Sequence, residues 1–86
     1  MTANPAFEKL GEGQRNKEIH VKTTQQRLIE LGYMSGSADG DYGNMTKNAV
    51  NAAKAVLGME QDGMADPMFL TILFSDAMPT APAATA

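Results

Sequence analysis

Apolar side chains recur at helical spacing in three stretches of this chain, and each stretch is bounded by helix-ending or helix-starting chemistry. The first predicts a helix over about 18–31. Val21, Leu28 and Leu31 share one face with Ile29 beside it, and Gly32 follows as the residue type suited to a left-handed C-terminal cap. The second is opened by Asn44 as N-cap and carries Met45, Ala49, Val50, Ala53, Val56 and Leu57 up to Gly58, again a glycine stop. The third sets Asp66 as N-cap before Pro67 at the first helical position, where a missing N–H costs nothing, and continues through Phe69, Leu70, Ile72, Leu73 and Phe74. The expectation is an all-α fold, a compact three-helix bundle with two Asp-Gly loops and an internal loop-helix repeat.

The repeat emerges on shifting the sequence by 23 residues, which lays Asp39-Gly40 on Asp62-Gly63, Thr46 on Phe69, Ala49 on Ile72 and Val50 on Leu73. Leu31-Gly32-Tyr33 and Leu57-Gly58-Met59 lead into the two units. Neither unit can hide its apolar stripe alone, so both are expected to pack on the first helix. Burying a Leu, Ile or Phe side chain is worth roughly 1.5–3 kcal/mol, and about a dozen of them just offset the ordering entropy of so short a chain. In each loop the aspartate is expected to close the turn through its own side chain while the glycine supplies positive φ.

The flanks break the pattern. Residues 1–17 hold Pro5, Gly11 and Gly13 without a sustained apolar period and read as an N-terminal lead-in, with Phe7 and Leu10 as its anchors. Residues 77–86 form a Pro/Ala/Thr tract that reads as a semi-extended linker or tail to something attached beyond it. The domain is therefore expected over 18–76.

With 86 residues one core is the limit. The net charge of −3 supplies no basic patch for nucleic acid or an anionic membrane surface, and no apolar run approaches the roughly 20 residues of a membrane span. Residues 1–31 carry five basic and four acidic side chains, residues 32–86 two and six, so an anionic ligand would be steered mildly towards the first part. The absence of cysteine removes disulfides and thiolate metal sites. His20 is the sole histidine and has no partner set for a zinc site or a nucleophilic triad; the carboxylates are dispersed, and a chain this small hardly supplies a cleft for a glycosidase pair. Asp39-Gly40-Asp41 opens like a calcium loop but fails at Gly43, where a ligand should stand, and at Val50, the twelfth position. No enzyme activity, metal or cofactor is expected. Lys22, Arg27, Lys47 and Lys54 are spaced as a solvated helix face.

Gln25-Gln26-Arg27-Leu28-Ile29-Glu30-Leu31-Gly32-Tyr33, then Asp39-Gly40-Asp41-Tyr42-Gly43, Thr46, Ala49-Val50, Gly58-Met59, Asp62-Gly63 and Asp66-Pro67 form an ordered set. In order and spacing over about residues 18–75 the set resembles the peptidoglycan-binding domain type 1 family. The resemblance implies a three-helix, non-catalytic module that holds wall hydrolases, amidases or related proteins on peptidoglycan, in an extracytoplasmic, wall-associated location. This chain departs from the family pattern at Thr24, for the usual leucine; at Ala53-Lys54, for Phe-Gln; at Asp66, for glycine; and at Phe69, for threonine. The Ala53 and Phe69 changes read together as a swap of core volume between helices.

On this reading the ligand would meet Asp39, Gly40, Asp41, Tyr42, Gly43, Thr46 and Tyr33. The two tyrosines would offer apolar faces to a sugar or a peptide methyl, and the N–H groups opening the second helix, near Met45 and Thr46, would face a stem-peptide carboxylate. Tyr42 and Tyr33 also read as packing residues, and Asn44 could occupy those N–H groups itself. The alternative function is a protein-interaction or structural module that kept the fold and lost the wall ligand. Its signature would be exposed methionine and phenylalanine, with a partner protein in place of glycan or stem peptide.

Overall fold

The computed structural model describes residues 9–11 and 18–81. Three helices form its body: α1 over Glu18–Glu30, α2 over Asn44–Leu57 and α3 over Pro67–Leu73. No strand occurs among the described residues, and the β-type pairing there is an isolated antiparallel bridge between Leu10 and Ala65, with N···O distances of 2.8 Å in both directions. Through that bridge the lead-in joins the fold, and Leu10 is wholly buried. Phe7, the other expected anchor, lies outside the described residues.

Both long helices end on the same hydrogen-bond pattern. At the end of α1, Gly32 N–H donates to Ile29 O and Tyr33 N–H to Leu28 O; at the end of α2, Gly58 N–H donates to Ala55 O and Met59 N–H to Lys54 O. This is the Schellman arrangement, and it requires a left-handed residue, met here by φ of 87° at Gly32 and 73° at Gly58. Asp66 caps α3 as expected, its carboxylate accepting from Phe69 N–H at 2.8 Å. The start of α2 is different. Gly43, not Asn44, holds the N-cap position, and no side chain caps the helix. The 23-residue shift aligns Gly43 with Asp66, so Asn44 already sits inside the first turn, too late to reach back to those N–H groups.

The core contains Leu10, Val21, Leu28, Leu31, Met34, Ala49, Val50, Ala53, Ala65, Phe69, Leu70, Leu73 and Met78. Ala53 and Phe69 are both fully buried, as an exchange of volume between helices requires. The inner faces are less apolar than the periodicity suggests. On α1 the buried positions are Val21, Thr24, Gln25 and Leu28; on α2 they are Thr46, Ala49, Val50, Ala53 and Lys54. Met45 and Val56, expected on the core stripe of α2, are exposed instead, because polar side chains with internal partners occupy the inward positions.

The final tract also departs from expectation. Met78 enters the core, Ala81 N–H donates to Leu31 O at 2.8 Å, and the Tyr33 hydroxyl donates to Pro79 O at 2.8 Å. The backbone through Ala81 is therefore bound to the end of α1 rather than hanging from the domain as a linker. Residues 82–86 lie outside the described residues.

Candidate functional site

The first Asp-Gly loop is assembled around one buried amide. Gln25 projects from α1, fully buried, and its Oε1 accepts from Gly40 N–H at 2.8 Å. Its Nε2 meets Thr46 Oγ1 at 2.8 Å, Asp41 O at 2.9 Å and Asp39 Oδ1 at 3.1 Å. Two N–H groups serve three acceptors there, so at least one bond is shared. Asp39 Oδ1 also accepts from Asp41 N–H at 2.9 Å, closing the expected turn, and Gly40 takes φ of 80°. The Asp41 N–H, with Gln25 second, holds the Asp39 carboxyl below its ordinary pKa.

The second loop repeats this plan with different side chains. Asn51 Oδ1 accepts from Gly63 N–H at 2.7 Å, Asp62 Oδ1 accepts from Met64 N–H at 3.0 Å, and Lys54 Nζ donates to Asp62 Oδ1 at 2.7 Å. Lys54 also lies 3.5 Å from Asp66 Oδ2 and 5.6 Å from the Phe69 ring centre. Its hydrogen bond, followed by that of Met64, depresses the Asp62 pKa. What Gln25 does alone in the first loop is thus divided between Asn51 and Lys54 in the second. The loops are joined directly, the Tyr42 hydroxyl donating to Gly63 O at 2.7 Å. Burial, with the charge of Asp62 adding to it, pushes the Tyr42 pKa up, so the hydroxyl remains a donor.

Of the seven residues expected to meet a ligand, Asp39 and Asp41 are exposed, and Gly40, Tyr42, Gly43 and Tyr33 are half-buried. Thr46 is buried, its hydroxyl accepting from Gln25. The loop brings Asp39 to Thr46 together around Gln25, while Tyr33 sits at the end of α1 with its hydroxyl committed to Pro79. Sequence reasoning missed Gln25, Asn51 and Lys54, which brace the loops. The expectation of a solvated basic face holds for Lys22 and Lys47 but fails for Lys54, which is 1 % exposed, and for Arg27, whose Nε and Nη2 donate to Leu73 O and Ser75 O at the end of α3.

A shallow open groove of about 360 Å³ lies elsewhere, between the outer face of α1 and the segment after α3, lined by Thr23, Gln26, Arg27, Glu30, Phe74 and Asp76. None of the seven expected residues lines it. Among the described residues no group of three or more His, Cys, Asp or Glu side chains is placed to hold a metal ion, and no helix is long and apolar enough to cross a membrane.

Residues 19–73, over half of the chain and all but the first residue of the three helices, match the family model described as "Putative peptidoglycan binding domain". The chain belongs to the peptidoglycan-binding domain family. A 54-residue stretch is 37% identical to the N-acetylmuramoyl-L-alanine amidase CwlM of Mycobacterium tuberculosis, covering 63% of this chain and 13% of that protein. The similarity therefore concerns a small part of the amidase. No solved structure matches. Membership of a peptidoglycan-binding family implies a cell-wall context, and Gln25 and Lys54 become intelligible as the struts of a peptidoglycan-binding domain's paired loops.

Proposed function

We propose that this domain is a non-catalytic anchor that holds an attached protein or wall hydrolase on peptidoglycan outside the cytoplasm. The observation that carries the reading is the family match across all three helices. The first loop supports it physically. Gln25 and the link to Gly63 brace the loop, which lowers the ordering cost when Asp41 and the exposed parts of Tyr42 and Tyr33 meet a ligand. Asp39, Gly40 and Gly43 shape that rim, and Thr46 supports it from below. The N–H groups opening α2, uncapped by any side chain, face the same loop and suit a peptide carboxylate.

Co-sedimentation of the folded chain with insoluble peptidoglycan tests the reading. Saturable pelleting, reduced by Asp41→Ala and Tyr42→Phe variants whose circular dichroism is unchanged, is the expected result. A folded wild type that stays in the supernatant refutes wall binding.

A protein-interaction module is the second reading. It is favoured by the exposure of Ile19 at 61 %, Met45 at 57 %, Val56 at 40 % and Phe74 at 37 %. It requires self-association that rises with concentration in sedimentation velocity, or a specific protein partner, in the absence of wall retention.

A further inference from the structure

The segment after α3 folds back onto the end of α1 and takes up the hydroxyl of Tyr33, a residue of the proposed binding rim. It lies beyond residue 73, where the family match ends. Its root is fixed: Arg27 Nη2 donates to Ser75 O at 3.2 Å, and Ser75 Oγ donates to Ile72 O at 2.7 Å. Asp76 and Ala77 follow, both exposed, and the hydrogen bonds that fold this stretch back on Ser75 are long, 3.3 Å each from Ala77 N–H and Met78 N–H. Residues 78–81 then form a strap. Met78 is buried in the core, Pro79 O accepts from the Tyr33 hydroxyl at 2.8 Å, and Ala81 N–H donates to Leu31 O at 2.8 Å.

Among the described residues the strap is held by one buried side chain and these two hydrogen bonds, while Pro79 and Thr80 face solvent. Against them stands the conformational entropy of ordering the strap's backbone. An element held so lightly opens at a fraction of the free energy of global unfolding. Because Arg27 keeps Ser75 in place, the opening pivots at Asp76-Ala77 and leaves the helices intact. The Tyr33 hydroxyl has a single proton, and the closed strap uses it on Pro79 O. A ligand carbonyl or carboxylate can accept from Tyr33 only by displacing Pro79, and a ligand N–H directed at Leu31 O meets Ala81 in the same place.

We infer that residues 78–81 are an autoinhibitory strap, hinged at Asp76-Ala77, which competes with the wall ligand for Tyr33 and swings away when the ligand binds. The inference rests on the reading of the domain as a wall anchor with Tyr33 on its rim, and adds a gate to that rim. Two consequences follow from linkage. Loosening the strap tightens ligand binding, by at most the reciprocal of the fraction already open, and the ligand in turn opens the strap.

The test joins native-state hydrogen exchange, read by NMR on the whole chain, to pelleting with insoluble peptidoglycan. In the wild type the Ala81 amide should exchange about a hundredfold faster than that of Val50, relative to their intrinsic rates, and with little dependence on urea. Soluble fragments of muramidase-digested wall should speed Ala81 exchange further. Ala81→Pro removes the N–H donated to Leu31 without altering a core side chain, and should lower the Kd for wall about threefold. Met78→Ala, which withdraws the buried anchor, should act in the same direction; if it fails to fold, Ala81→Pro carries the test. Exchange of Ala81 only with global unfolding, fragments that slow it or leave it unchanged, or a Kd that Ala81→Pro leaves equal or raises would overturn the strap. Wild-type pelleting separates the two failures. If it persists beside any of those results, the gate is wrong and the anchor stands. If the wild type does not pellet, the wall reading falls and takes the gate with it.

Discussion

Lys54 Nζ approaches Asp62 Oδ1 to 2.7 Å although the lysine side chain is 1 % exposed and the aspartate 42 %. The desolvation therefore falls mainly on the cation, while both of its carboxylate partners keep contact with water. Asp66 at 3.5 Å, 34 % exposed, and the face of Phe69 complete the surroundings of the ammonium group. The same two aspartates shape the second loop and cap α3, so Lys54 ties the end of α2 to the start of α3.

Two substitutions separate what the stem of Lys54 contributes from what its charge contributes. Lys54→Ala removes both and leaves a cavity, and is expected to cost about 3 kcal/mol. Lys54→Met keeps most of the volume and leaves two half-solvated carboxylates, so about 1 kcal/mol is expected. Urea unfolding measures both. Equal losses in the two variants would mean that the charge, not the packed stem, dominates.

Gln25 is the corresponding strut of the first loop, and its replacement should act more locally. Gln25→Leu leaves Gly40 N–H without its acceptor and deprives Thr46 of its donor, at an expected cost of about 2–3 kcal/mol. Hydrogen exchange supplies the specific sign: Gly40 should lose protection in the variant while Gly63, held by Asn51, keeps it. Loss of protection at both would show that the loops act as one unit through Tyr42.

The helices, their glycine stops, the Asp66 cap and the repeat were legible because each is encoded locally, in spacing or in a residue that suits one backbone geometry. The struts were not, because a glutamine or lysine on a helix carries no local sign that its partner lies in a loop folded back against it. One signal was present for Lys54. The family pattern has glutamine at that position, and the first unit of this chain uses Gln25 for the equivalent task. Arg27 and Met78 were misread for a related reason. One binds carbonyls 46 and 48 residues away, and the other is drawn into the core from a tract whose composition suggests none. For the candidate site, sequence marked the Asp39–Thr46 loop and the tyrosines but could not separate the exposed Asp41 from the buried Thr46. The groove around Phe74 depends on the placement of two elements and left no motif.

Two glycines distinguish backbone strain from function. A Cβ on Gly58 would meet nothing within 4 Å, so Gly58→Ala isolates the cost of φ at 73°, about 1 kcal/mol, and should leave wall retention unchanged. Gly63, at φ of 76°, bears the carbonyl that holds Tyr42, and its Cβ would lie 2.9 Å from carbons of the exposed Lys47 side chain, which can swing aside. Gly63→Ala should therefore cost a similar amount in stability yet also reduce pelleting with peptidoglycan. Equal retention by the two variants would argue against the Tyr42 rim.

The depressed carboxyls make part of the fold's stability sensitive to acid. Asp39 and Asp62 have folded-state pKa values below their unfolded ones, near 3.9. Their contribution is thus fully present above the unfolded pKa and lost as pH falls through the folded values. Melting temperature should vary little on their account from pH 8 to about pH 5 and decline below about pH 4. Asp62→Asn keeps an oxygen for Met64 N–H and Lys54 but surrenders the charge. The gap between wild type and this variant should accordingly be widest near neutrality and close as the wild-type aspartate becomes protonated. Because Asp62 is well exposed, added salt should narrow the neutral-pH gap as well. A gap that persisted undiminished to pH 2 would show that Asp62 acts through its turn geometry, with its ion pair to Lys54 contributing nothing measurable.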